Sequence, residues 1–190
     1  MRRTLVGMVL DASGSMEDMK RSVLNGYNEY LDTLSKEPAE VRLMQTQFSD
    51  GVRVEHGPLP LVTVPRLTNA NYRAEGSTAL YDGVGETITR LEKEAGAEDR
   101  VIVLIMTDGD ENFSRRWKLP TLHAKIKEKT ATGRWTFIFF GANTIDARAA
   151  GAQLGIESGN VLTFDATPEG MQKVFEDVSS RTVGLLTDGS

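Results

Sequence analysis

Cysteine is absent from the 190 residues. That excludes disulfides, thiolate metal sites and a cysteine nucleophile, and it suits a reducing compartment. Long apolar runs are also missing. No stretch approaches the roughly 18 apolar residues that a membrane-spanning helix requires. At the N-terminus, Met1-Arg2-Arg3 precedes only the short run Leu5 to Leu10, which ends at Asp11. That run is too short for a signal-peptide core with a cleavage site. We therefore expect a cytoplasmic protein without membrane contact. Positive charge is not in excess: 22 Lys and Arg stand against 27 Asp and Glu, a net charge of -5. Nucleic-acid binding through bulk charge is not expected. Internal repeats, low-complexity tracts and linkers are lacking. Apolar residues at 39% and charged residues at 26% are ordinary for a globular chain, and the length suits one domain over 1–190.

What is present is an alternation of apolar strands and amphipathic helices, the pattern of a doubly wound α/β fold with a mainly parallel sheet and helices on both faces. Leu5 to Leu10 reads as a buried first strand. Met16, Met19, Val23, Tyr27, Tyr30, Leu31 and Leu34 recur at helical spacing, and Pro38 stops that helix. Val41 to Phe48 and Val52 to His56 flank the turn sequence Ser49-Asp50-Gly51. They predict a hairpin, and so one antiparallel edge strand. Gly57 to Ser77, with Pro58, Pro60 and Pro65, reads as a long surface connection with one short edge segment. Leu80, Val84, Ile88, Leu91 and Ala95 mark a second helix. Val101 to Met106 is an unbroken apolar run, as expected of a central strand covered on both faces. A third helix (Leu119, Leu122, Ile126), a strand (Trp135 to Phe140), a short helix (Asp146 to Leu154) and a last strand (Val161 to Phe164) follow. The final helix starts near Pro168, where the missing N–H costs little.

Three pieces carry chemistry. Asp11-Ala12-Ser13-Gly14-Ser15 follows the first strand, Gly76-Ser77-Thr78 precedes the second helix, and Thr107-Asp108-Gly109-Asp110 ends the central strand. Ligand sites of parallel sheets collect at the carboxyl ends of strands, so Asp11, Ser13, Ser15, Thr78 and Asp108 are expected to meet there. All five are oxygen donors. Hard oxygen ligands suit Mg²⁺, or Mn²⁺ or Ca²⁺, whereas zinc and copper sites normally carry His or Cys. Two carboxylates and three hydroxyls leave the shell of such an ion incomplete. Its open position should attract a carboxylate, an Asp or Glu of a protein partner.

These residues resemble the metal-ion-dependent adhesion site of the von Willebrand factor A domain: Asp11-x-Ser13-x-Ser15, then Thr78, then Asp108 in Thr-Asp-Gly. The order of elements is similar over essentially the whole chain. The resemblance implies that Ser13, Ser15 and Thr78 lie at or beside the ion and that Asp11 and Asp108 act directly or through water. It implies a binding function of the adaptor type. The stretch Phe139 to Thr144 is similar to the intracellular bacterial or viral versions.

Other residues have plainer readings. Asp110 and Glu111 are expected to be solvated loop acids, and Asp82 a solvent-facing or capping acid. Asp146 is expected to cap a helix. Arg115, Arg116 and Trp117 form either a positive, aromatic rim for an acidic partner or a charged loop over a packed Trp, and Asn143 borders the same crevice. His56 and His123 have no ligand-spaced partner. Catalysis is not expected. Ser13 stands where an aspartyl phosphatase carries a second acid. No Walker-type run or Gly-x-Gly-x-x-Gly follows the first strand, and neither histidine has a Ser-His-Asp context. A Mg²⁺-dependent phosphoryl-transfer or hydrolytic enzyme, and a domain whose metal is purely stabilising, are the alternatives.

Overall fold

The computed structural model describes residues 2–188. Its centre is a six-stranded sheet in the order β3-β2-β1-β4-β5-β6. The strands are β1 (Thr4–Asp11), β2 (Val41–Phe48), β3 (Val52–Pro60), β4 (Arg100–Thr107), β5 (Trp135–Ala142) and β6 (Val161–Phe164). All neighbouring pairs are parallel except β2 with β3. The helices are α1 (Lys20–Leu34), α2 (Leu80–Glu94), α3 (Leu119–Ala131), α4 (Ala147–Gln153) and α5 (Pro168–Thr187). This is the expected α/β architecture with one antiparallel edge strand.

The alternation of side chains along each strand divides the core in two. Val6, Met8 and Leu10 of β1 and Ile102, Leu104 and Met106 of β4 face α1 and α5. Leu5 and Val9, with Val101, Val103 and Ile105, face α2 and α3. Both central strands are buried on both sides, which is why β4 reads as continuous apolar sequence. Helices α1 and α5 pack closely, because Gly26 lets the Phe175 ring lie against the α1 backbone.

Three stretches differ from the sequence reading. The periodicity from Met16 is not one helix: Gly14–Met19 is a 3-10 turn, and α1 begins at Lys20. Strand β3 does not stop at His56. Leu59 and Pro60 still pair with Leu43 and Arg42, and an edge strand tolerates prolines because its outer N–H positions need no partner. The connection after it is not wholly a surface segment. Val64, Leu67 and Tyr72 are buried in the α1-side core, and Asn28 of α1 holds Leu67 by both its backbone N–H and its carbonyl. Isolated apolar residues with no period leave no element signature, so the proline content dominated the reading.

Candidate metal centre

The order of the sheet places a topological switch between β1 and β4. The chain leaves β1 toward β2 on one side and leaves β4 toward β5 on the other. The crevice beyond two such strand ends is where open α/β sheets bind ligands. Asp11 is the last residue of β1, and Asp108 follows the last residue of β4.

Asp11 is fully buried. Its Oδ1 accepts the Ser13 N–H at 2.8 Å, and its Oδ2 accepts the Thr107 hydroxyl at 2.7 Å and the Asp108 N–H at 3.3 Å. One carboxylate thus ties the ends of both central strands. The Tyr72 hydroxyl donates to the Asp11 carbonyl at 2.5 Å. Burial first, then the nearby acids, holds the Tyr72 phenol well above its ordinary pKa, so it stays a donor.

Ser15 donates its hydroxyl to Asp108 Oδ1 at 2.7 Å and lies 3.1 Å from the Ser13 hydroxyl. Thr144 donates to the Asp108 carbonyl at 2.7 Å. The Thr78 segment arrives through backbone bonds: Gly14 N–H to the Gly76 carbonyl at 3.0 Å, and Glu75 N–H to the Ala12 carbonyl at 2.9 Å. Gly76 has a φ of +80°, and a Cβ there would stand 2.7 Å from the Asp50 carboxylate. Only glycine suits that corner. Thr78 Oγ1 lies 3.5 Å from where a Cβ on Gly109 would be, so its hydroxyl reaches the Asp108–Gly109 turn. The three separated segments therefore meet at one place.

The electrostatics of that place favour a cation. Asp108 is 7% exposed. Burial, with a further push from the Asp11 carboxylate and against the Ser15 hydroxyl bond, raises its carboxyl to about 6. Among the described residues no three His, Cys, Asp or Glu side chains gather as a metal cluster. The donors here are two carboxylates and three hydroxyls, a set that suits a hard divalent ion.

The other candidate residues are placed as follows. Asp82 is not solvent-facing: it is 6% exposed, and its carboxylate accepts the backbone N–H groups of Arg115, Arg116 and Trp117. Glu111 is not a free loop acid, because it accepts the N–H groups of Tyr81, Phe113 and Ser114. Asp110 is exposed. Arg115 and Arg116 are exposed, Arg115 over the Phe113 ring at 4.8 Å and Arg116 Nη2 3.9 Å from Glu86. Trp117 is half-buried with its indole against Gly85. Asn143 is held by Asp165 and by the Ala166 N–H rather than by the crevice. Asp146 caps α4, accepting the Ala149 N–H at 3.0 Å. His56 bonds the Gly57 carbonyl and His123 the Gln153 carbonyl. Sequence reading passed over Tyr72, which sits in the proline-rich connection, and Thr107, whose position in Thr-Asp-Gly was the available signal.

No protein-family model and no curated protein matches the chain. Solved structures do match. A von Willebrand factor type A structure from Catenulispora acidiphila superposes with a TM-score of 0.67 at 15% identity, covering 96% of this chain and 43% of that one. The vWF domain of the type V pili tip protein Mfa5 from Porphyromonas gingivalis gives a TM-score of 0.70 at 9% identity, covering 100% and 97%. The fold is that of a von Willebrand factor A domain. A third structure with this fold, proximal thread matrix protein 1 from the mussel byssus with a zinc-occupied MIDAS motif, gives a TM-score of 0.70 at 18% identity. It covers 95% of this chain, which spans 46% of that one. This chain thus spans less than half of two of the three A-domain structures. None of its described helices is long and apolar enough to cross a membrane.

Proposed function

We propose that this chain is a divalent-metal-dependent protein-binding module rather than an enzyme. Asp11, Ser13, Ser15, Thr78 and Asp108 hold Mg²⁺ (Mn²⁺ or Ca²⁺ in its place), and an Asp or Glu of a protein partner completes the coordination. The observation that carries the reading is the pairing of two buried carboxylates, from β1 and from the turn after β4, with three hydroxyls at a sheet switch point. The zinc-occupied motif of the mussel-byssus protein supports a divalent ion on this fold. The all-oxygen donor set argues for a harder ion here. When bound, the ion supplies Lewis acidity toward a carboxylate. The protein's own residues supply the cradle: Asp11 ties the strand ends, Tyr72 anchors its backbone, and the serines and Thr78 present neutral oxygens. We place the module in the cytoplasm, as an adaptor of the intracellular type, on the resemblance of the Phe139 to Thr144 stretch; a chain without cysteine fits that compartment. Arg115 and Arg116 remain exposed and available to an acidic partner surface.

The test is Mn²⁺ binding followed by electron paramagnetic resonance, together with affinity capture from the native source in Mg²⁺ and in EDTA. Wild type should bind one Mn²⁺, and Asp11→Asn and Thr78→Ala should not. Capture of a partner should need Mg²⁺ and fail in both variants. A wild type that leaves the Mn²⁺ signal free, or a partner held equally well in EDTA, overturns the reading.

A further inference from the structure

The start of α2 has no side-chain cap of its own, although the first N–H groups of a helix need partners. Its partners come from the loop after Asp108. Glu111 accepts the Tyr81 N–H at 3.1 Å and Ser114 Oγ accepts the Asp82 N–H at 2.9 Å, while Asn112 Oδ1 accepts the Thr78 N–H, just before the helix, at 2.9 Å. The reverse also holds. Asp82, in the first turn of α2, accepts three backbone N–H groups of the loop: Arg115 at 2.9 Å, Arg116 at 3.0 Å and Trp117 at 2.7 Å. The Trp117 indole then closes on Gly85, where a Cβ would fall 2.2 Å from the ring. Each segment satisfies the other's backbone.

We infer that Asp82 is a positioning residue that locks α2 and the Asp110–Trp117 loop into one body, so that Thr78 and Asp108 hold their register across the crevice. The inference rests on the metal-binding reading of the site but has its own observable. Among the described residues, the hydrogen bonds of Asp82 to the loop go to residues 114–117 rather than to Thr78 or Asp108. Thr78 stands just before the helix that carries Asp82, and Asp108 just before the loop that Asp82 holds. Charge-assisted bonds from backbone N–H groups to a carboxylate are among the stronger ones. Asp82→Asn removes the charge and turns an amide NH₂ toward one of the three donors.

The experiment uses the full chain. Amide hydrogen exchange without metal reads the lock directly. In wild type the N–H groups of residues 115–117 and of Thr78, Tyr81 and Asp82 should be protected together. In Asp82→Asn both groups should lose protection together, while β4 amides keep theirs. Glu111→Gln, which attacks the lock from the loop side, should give the same joint loss and decides the matter if Asp82→Asn does not fold. Mn²⁺ affinity is the second readout, expected to fall about tenfold or more in Asp82→Asn, as for other residues that orient metal ligands. Asp99→Asn is the control. That carboxylate is also buried and bound by an N–H, that of Gly96, but lies at the opposite end of β4, and its loss should leave Mn²⁺ affinity unchanged. Loss of loop protection with the α2 start still protected overturns the lock. So does an equal fall in affinity for Asp82→Asn and Asp99→Asn, which would mark general destabilisation. A wild type that binds no Mn²⁺ defeats the metal reading instead, and the exchange result then decides the lock alone.

Discussion

Asp11 and Asp108 answer different demands although they touch. Asp11 has three donors on its two oxygens and is a structural tie as much as a candidate ligand. Asp11→Ala leaves those donors facing a void. Each buried group without a partner costs roughly 1–3 kcal/mol, so even with relief of repulsion on Asp108 a net loss of about 2–4 kcal/mol is expected in urea unfolding. Asp108 has the opposite character. Its carboxyl is raised to about 6 from an ordinary 3.8. Between those values the folded chain holds a proton that the unfolded chain has released. Raising the pH through this window therefore weakens the metal-free fold: this carboxyl's penalty is absent below about pH 4 and complete above about pH 6. Unfolding midpoints of wild type and Asp108→Asn in EDTA, measured from about pH 4 to pH 8, should diverge as pH rises, the variant gaining relative stability. Parallel curves contradict the burial argument. With saturating Mg²⁺ the wild-type penalty should vanish, because a cation binds the ionised carboxylate.

At the scale of elements, α1 and α5 show how one missing side chain sets a packing distance. A Cβ on Gly26 would stand 2.2 Å from the Phe175 ring. Alanine there gains about 1 kcal/mol of helix propensity but must push apart two helices closed over the Tyr27–Tyr30 layer, and overpacking typically costs about 1–3 kcal/mol. We expect Gly26→Ala to be destabilising on balance. The double variant Gly26→Ala with Phe175→Leu should recover part of the loss in chemical denaturation, and no recovery argues against the close contact as the cause. Most elements were legible in the sequence for one reason: a buried strand such as Val101 to Met106, or a face such as Leu80, Val84, Ile88 and Leu91, repeats with a period. That Asp11 and Asp108 fall on one edge was legible because the carboxyl ends of strands in a parallel sheet share it. Tyr72 and Leu67 were not, since single residues in a proline-rich connection have no period. Nor was the reciprocal capping between α2 and the loop after Asp108. Its donors are backbone N–H groups, which every residue but proline owns, so Asp82 and Glu111 look like any surface acid until the chain is folded.

Across the whole molecule, the proposed ion would join segments around residues 11, 78 and 108 that only folding brings together, so binding must report on folding. A ligand that binds only the native state adds about 2.7 kcal/mol at a hundredfold excess over Kd. For a chain of this size that corresponds to a rise in melting temperature of roughly 5–10 °C. MgCl₂ should produce that rise, EDTA should reverse it, and Asp11→Asn should not show it. The same rise is expected of a purely stabilising metal, and solvent access to the ion is what separates a tie from a binding site. If waters complete the shell of Mn²⁺ in this site, solvent-proton relaxation will be enhanced by the bound ion, and a small dicarboxylate such as glutarate will lower that enhancement by displacing them. An ion enclosed by the protein alone gives little enhancement and no response to glutarate. The five side chains gathered here are mostly neutral hydroxyls, with two carboxylates already engaged by the backbone and by Ser15. Five donors leave at least one position of a six-coordinate ion to water, and glutarate should therefore compete with water for it.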